Sequence, residues 1–278
     1  MARKGCAASA LLIPFGVVLV IFGVTTFVSQ RRKESVLTPA HRSFFTAARK
    51  GDVQGIRAGL AQGVDVNAHE PANDRTALMR AAAFDRPEGV KALMAARADP
   101  NAVDADRRTA LHLAAEAGAA SVIPLLAAAG ASADALSPEV GGERTPLGLA
   151  VRASQVEAVR ALLAAGADPN RAGPTTPSPL EDAIFARQVE IVRALLSAKP
   201  RLTPSSAMGA APSLLHLAIS NCRPGAAEII RMLVEAGADA QTRDEKGHTP
   251  LQAVETLDPR LTDTECFEPL LAALRAGR

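Results

Sequence analysis

Beyond residue 62, short apolar runs alternate with turn residues in a fixed order. An opening motif reads RTALMRAA at Arg75, RTALHLAA at Arg108, RTPLGLAV at Arg144, PSPLEDAI at Pro177, PSLLHLAI at Pro212 and HTPLQAVE at His248. The starts lie 33, 36, 33, 35 and 36 residues apart. A closing motif reads GVDVN at Gly63, RADPN at Arg97, GASAD at Gly130, GADPN at Gly166 and GADAQ at Gly237. Between the two, apolar residues recur at helical spacing: Val90, Leu93 and Met94, then Val122, Leu125 and Leu126. The same stripe returns as Val159, Leu162 and Leu163, as Val192, Leu195 and Leu196, and as Ile230, Leu233 and Val234. The pattern predicts one helical hairpin per unit, each covering its neighbour's apolar side. A fixed period of this length marks stacked repeats rather than one closed core.

The motif residues have mechanical roles. Thr76, Thr109, Thr145 and Thr249 precede helical runs and can cap them through the hydroxyl. Pro146 and Pro250 fit the first helical position, where no donor is needed. Gly166 and Gly237 suit a left-handed helix end. Ala81, Ala114 and Ala150 are small enough for neighbouring helices to approach closely.

These residues resemble the ankyrin repeat, and RTALHLAAEAGAASVIPLLAAAGA from Arg108 to Ala131 matches it best. The resemblance covers roughly residues 42–278. It implies an all-α solenoid of helical hairpins with β-turn fingers. Residues 42–72 form an amino-terminal cap lacking the opening motif, 73–241 the inner repeats, and 242–278 a closing cap. It also implies that His112 and His216 tie neighbouring turns together by hydrogen bonds, and that the concave face and finger loops bind a protein partner. The pattern weakens in places. Lys199-Pro200 replaces a closing Gly-Ala, and RLTPSSAMGAAP follows it. Pro124 falls inside a second helix and should shorten or bend it. DALSPEVGGE from Asp134, RAGPTTPS from Arg171 and the stretch from Leu257 to Thr264 read as long loops, where solenoids collect extra residues.

The amino-terminal part is different. Residues 1–10 form a short tail carrying Arg3 and Lys4, and 11–28 read LLIPFGVVLVIFGVTTFV. Eighteen helical residues span about 27 Å, close to the hydrocarbon thickness of a bilayer. One transmembrane helix is therefore expected ahead of the repeats, followed by a juxtamembrane linker over 29–41. Gly16 and Gly23 share a face that could pair helices. A cleaved signal peptide is the alternative, but the apolar run is long for one and no small-x-small site precedes Arg31. Arg31, Arg32 and Lys33 follow the span, which favours a cytoplasmic repeat domain over a periplasmic or luminal one.

Composition narrows the function. The net charge of +2 gives no global field for nucleic acid, and aromatics at 3% give no base-stacking platform. The Ala and Arg bias suggests GC-rich, bacterial coding. Cys6, Cys222 and Cys266 fit neither a disulfide framework nor a zinc pattern. No nucleophile elbow, phosphate loop or metal-binding helix motif occurs. Glu181 and Asp182 are adjacent, so on a helix they point apart. No catalysis, cofactor, metal or small-molecule substrate is expected.

One constellation remains. Arg75, Arg108 and Arg144 hold the same place in three successive repeats, with Arg107 beside them and Arg80 and Arg152 on the first helices. Such a ladder suits a partner with an acidic segment, because Arg pairs with carboxylates through two nitrogens at once. The competing expectation is local neutralisation by Asp74, Asp106 and Glu143.

Overall fold

The computed structural model describes residues 37–204, 213–220, 225–256, 271–272 and 274–275. The expected membrane segment 11–28 with Gly16 and Gly23, the tail, most of the linker and all three cysteines lie outside them, as does the loop from Leu257 to Thr264. Among the described residues no helix is long and apolar enough to cross a membrane. Met1–Thr38 and Pro39–Arg278 form separate units, and the helical hairpins all belong to the second.

Helix α1 (Pro39–Lys50) and α2 (Val53–Ala61) make the first hairpin. It starts three residues ahead of the expected boundary at Arg42. The following hairpins are α3 (Ala77–Ala83) with α4 (Pro87–Ala95), α5 (Ala110–Ala117) with α6 (Ile123–Ala128), and α7 (Pro146–Arg152) with α8 (Val156–Ala164). Next come α9 (Pro179–Phe185) with α10 (Val189–Ser197), and α11 (Leu214–Ile219) with α12 (Ala226–Glu235); α13 (Pro250–Glu255) opens the next unit. First helices touch first helices in chain order, and second helices touch second helices, so two layers run side by side.

Local chemistry fixes the ends of these helices. Thr76, Thr145, Ser178, Ser213 and Thr249 sit in extended backbone, and each hydroxyl accepts the N–H three residues on. Pro146, Pro179 and Pro250 occupy first helical positions. Gly130, Gly166 and Gly237 close second helices with φ of 86°, 88° and 94°. Arg97 and Lys199 hold the same place at φ of 63° and 52°, a region L-residues with a Cβ enter at a cost.

The core is the seam between layers. Val90, Leu93, Val122, Leu126, Val159, Leu162, Val192, Leu195, Ile230 and Leu233 are all fully buried. Each contributes about 1.5–3 kcal/mol by leaving water. Met94, Leu125, Leu163, Leu196 and Val234, expected in the same stripe, are only half-buried. The first four stand one residue past or before a buried leucine, about 100° round the helix, and so reach only the rim of the seam; Val234 stands likewise beside Leu233. Ala81, Ala114 and Ala150 have no exposed surface, consistent with close approach of the first helices.

One feature departs from the expected plain hairpins, and the shortening expected at Pro124 is present. The stretch from Asp134 is a β-ribbon: β1 (Ser137–Glu139) pairs antiparallel with β2 (Gly142–Arg144), in register Ser137 to Arg144. Among the described residues the fold is therefore all-α except for one short ribbon. Gly141 and Gly142, at φ of 96° and 127°, supply a turn that residues with a Cβ would resist. Pro124 shortens α6 to 6 residues, against 9 in α4, α8 and α10. A proline lacks the N–H and clashes with a preceding helical turn, so the helix begins late, with Pro124 in its first turn.

The second-helix layer also carries a chain of exposed ion pairs. Arg160 meets Glu157 and Glu190 at 3.6 and 3.5 Å, and Arg193 meets Glu190 at 3.6 Å and also Glu228. Lys91 pairs with Glu88 at 2.7 Å on α4. At α6 the corresponding positions are Ser121 and Pro124, and no charged residue falls between Glu116 and Asp134.

Candidate partner-binding surface

The finger loops are fixed to one another by side chains at the ends of four closing motifs. Asn67 Oδ1 accepts the Asp99 N–H at 2.8 Å, and Asn101 Oδ1 accepts the Ser132 N–H at 2.8 Å. Asp134 Oδ1 accepts the Asp168 N–H at 3.0 Å, and Asn170 Oδ1 accepts the Arg201 N–H at 2.6 Å. Each bond joins one repeat to the next, so backbone donors left by the turns are satisfied across the repeat boundary.

Two histidines pin fingers to first helices. His112 Nδ1 accepts the Thr109 N–H at 3.1 Å, while Nε2 lies 3.1 Å from the Ala135 carbonyl and 3.3 Å from that of Arg144. A donor on one side and carbonyls on the other define a neutral ring with its proton on Nε2. Ala135 precedes β1 and Arg144 ends β2, so one imidazole holds both strands at the open end of the ribbon. Burial pushes the His112 pKa down to about 4, against the opposing pull of the two carbonyls. His216 repeats the arrangement, with Nδ1 2.8 Å from the Ser213 hydroxyl and Nε2 3.2 Å from the His248 carbonyl.

A buried carboxylate organises the second finger. Asp104 Oδ1 accepts the backbone N–H of Asp106 at 3.0 Å and of Arg108 at 2.9 Å. Its Oδ2 lies 3.3 Å from both Arg75 Nε and an Arg108 guanidinium nitrogen. Asp244 does the same with the N–H groups of Lys246 and His248 at 2.9 and 2.8 Å. The His248 bond holds the Asp244 carboxyl below the usual range.

The structure joins Arg75 and Arg108 on one carboxylate and engages the arginines internally. Arg75 goes to Asp104, and Arg108 to Asp104, Asp106 at 2.8 Å and Glu116 at 3.4 Å. Arg144 pairs with Asp182 and Arg80 with Glu70. These four side chains are 12–22% exposed. Of the neutralising groups expected, Asp106 acts on Arg108, but Arg75 and Arg144 reach Asp104 and Asp182 in following repeats instead of Asp74 and Glu143. A long side chain leaving a turn leans along the stack, where the next repeat supplies the nearest acid. Burial raises the Asp182 pKa, against the lowering by Arg144. Arg152, by contrast, is 49% exposed and meets Glu139 at 3.5 Å. Arg107 is exposed on its finger at φ of 60°.

Large apolar groups accompany these charges. Val103 and Val140 are exposed on the second finger and at the ribbon turn, and Phe84 and Phe185 at the ends of first helices. The Arg49 guanidinium lies 5.9 Å from the Phe84 ring centroid. Among the described residues no three His, Cys, Asp or Glu side chains gather as a metal site would require.

Comparison with known proteins agrees with this geometry. Residues 44–137 match the profile of ankyrin repeats in three copies, and residues 142–173 match that of a single ankyrin repeat. No curated protein matches the chain by sequence. Among solved structures, the ankyrin repeat domain of human ASB11 is 24% identical with a TM-score of 0.64, covering 87% of this chain and 98% of its own. The ankyrin repeat domain of Bcl-3, a unique member of the IkappaB protein family, is 24% identical with a TM-score of 0.65, covering 84% and 97%.

Proposed function

We propose that this chain, whose residues 44–137 and 142–173 match ankyrin-repeat profiles, works as a protein–protein interaction scaffold held beside a membrane by residues 11–28. The finger ladder carries the reading. Asn67, Asn101, Asp134 and Asn170 fix successive loops before any partner arrives. A preformed surface loses little conformational freedom on binding, which favours recognition by the fingers and the concave face. Tethering would raise the effective concentration of that surface for partners at the same membrane.

The tether rests on the uncharged sequence from Leu11 to Val28, and the cytoplasmic orientation on Arg31, Arg32 and Lys33. A periplasmic or luminal accessory protein is the second reading, favoured by Arg3 and Lys4 before the span. The partner is a protein with an acidic segment, taken up by the arginines near the fingers. Arg75, Arg80, Arg108 and Arg144 shape that surface while bound to their own carboxylates, and Arg107 and Arg152 are its more accessible cations.

Residues 1–41 fused to a soluble reporter should sediment with membranes and resist carbonate extraction; a reporter left in the supernatant refutes the tether. Photocrosslinkers at Arg107 and Val140 should trap a discrete protein. Equal yield from a crosslinker at Arg160, in the second-helix layer, would refute binding by the finger side.

A further inference from the structure

We propose that α1 lays its solvent-facing stripe, Arg42, Arg49 and Lys50, on the anionic headgroups of the membrane that holds the chain, so that the stack stands with its first hairpin at the bilayer. The inference rests on the tether read above and adds what the repeat domain itself does at the membrane.

The net charge of +2 conceals a basic stretch and an acidic one. Residues 31–61 carry seven Lys or Arg and two acids, whereas residues 62–278 carry 22 Lys or Arg and 27 acids. The hairpins stack in chain order, so positive charge collects at the first of them and negative charge lies in those beyond. An anionic surface attracts the one end and repels the remainder, which orients the domain as well as holding it.

The first hairpin presents this charge openly. On α1, Phe44, Phe45, Ala47 and Ala48 are buried, while Arg42, Ser43, Thr46, Arg49 and Lys50 are exposed. At ~100° per residue the exposed set fills about a third of the helix circumference, and it contains no acid. Arg57 is exposed on α2. Asp52, the one acid of the hairpin, accepts the N–H groups of Gln54 and Gly55 at 3.1 and 3.0 Å. Among the described residues none of the four cations meets a carboxylate. The other first helices that carry an arginine, α3 and α7, match Arg80 with Glu70 and Arg152 with Glu139. Arg49 and Lys50 complement the C-terminal end of the α1 dipole, but Arg42 stands in the first turn, where that dipole disfavours a cation. The stripe is thus charged beyond what the helix needs. Phe84, 44% exposed, lies with its ring centroid 5.9 Å from the Arg49 guanidinium. An apolar ring among cations suits the boundary between headgroups and acyl chains.

The sequence puts a bilayer within reach. Arg31, Arg32 and Lys33 continue the basic run six to eight residues ahead of Pro39, and Pro39 comes eleven residues after Val28. At ~3.5 Å per residue, α1 stays within about 40 Å of the end of the span. That proximity favours lipid headgroups over a soluble polyanion such as nucleic acid.

The test reconstitutes the full chain in nanodiscs of phosphatidylcholine alone, or with roughly a third phosphatidylglycerol. A benzophenone amino acid replaces Thr46, on the stripe, or Glu235, on α12, and lipid adducts are read by mass spectrometry. Adducts at the Thr46 site should rise about fivefold or more in the anionic discs and fall back at high salt. Arg42→Gln, Arg49→Gln and Lys50→Gln combined should remove the rise. Arg42→Lys with Arg49→Lys should keep it, which separates charge from folding. The Glu235 site should give no adduct in either disc. Equal adducts in both discs, a rise that survives the glutamine variant, or equal adducts at the Glu235 site would overturn the proposal and leave the tether intact. So would short duplex DNA bound by the stripe in preference to the anionic discs. A chain that enters neither disc refutes the tether, and this contact with it.

Discussion

Asn101 accepts the Ser132 N–H through Oδ1 at 2.8 Å and donates through Nδ2 to the Gly130 carbonyl at 3.0 Å. One amide therefore joins two closing motifs and settles both a donor and an acceptor at the end of α6. Asn101→Ala removes both bonds and is expected to destabilise the chain by about 1–3 kcal/mol. The amide of Ser132 should exchange with solvent markedly faster in the variant, as hydrogen exchange followed by mass spectrometry would show.

His112 makes stability depend on pH. Its folded pKa of about 4 lies below the ordinary 6.5, so the unfolded chain binds a proton that the folded chain refuses. The stabilisation is complete above pH 6.5 and is lost as pH falls toward 4, amounting to about 3 kcal/mol across that window. Urea midpoints should drop over this range, and His112→Gln should flatten that part of the profile. An unchanged slope in the variant would refute the assignment.

Arg97 and Lys199 are strained where other repeats place glycine. At Gly130, Gly166 and Gly237 nothing lies within 4 Å of an added Cβ, so backbone conformation sets the preference there. Arg97→Gly and Lys199→Gly should each stabilise by about 1 kcal/mol. Differential scanning calorimetry should show Tm rising by about 2–4 °C for each.

Asp104 serves two backbone donors and two guanidinium groups. Asp104→Ala leaves these groups buried without their acceptor and should cost about 3 kcal/mol or more. Arg75→Ala removes one ligand of that carboxylate and should cost less. The order of the two denaturation midpoints checks the claim.

Much of the fold is readable from the chain itself. Leu93, Leu126, Leu162, Leu195 and Leu233 mark the seam by spacing alone, and the capping threonines announce the helix starts. What sequence does not display is reach. The partners Arg75 with Asp104 and Arg144 with Asp182 are 29 and 38 residues apart, and only the stacking brings them together. One missed signal was present. Asp104 precedes Arg108-Thr109 by the same spacing at which Asp244 precedes His248-Thr249, and a recurring acid ahead of a turn implies carboxylate capture of backbone donors. Asn67, Asn101, Asp134 and Asn170 likewise stand in the sequence at the ends of closing motifs, while the backbone groups they bond lie in the next repeat. Gly141-Gly142 was visible, but whether two glycines close a ribbon or lie in an open loop depends on the His112 ring that clamps both sides.

Pro124 has an effect on how the chain responds to electrolyte. With Ser121 and Pro124 standing where Glu and Arg occur in α8 and α10, the alternating lattice of Glu157, Arg160, Glu190, Arg193 and Glu228 cannot extend back to Lys91. Screening by added salt acts chiefly on exposed pairs. Ionic strength is therefore felt unevenly along the stack, with α8, α10 and α12 loosening together while α6, which carries no charged side chain of its own, responds far less.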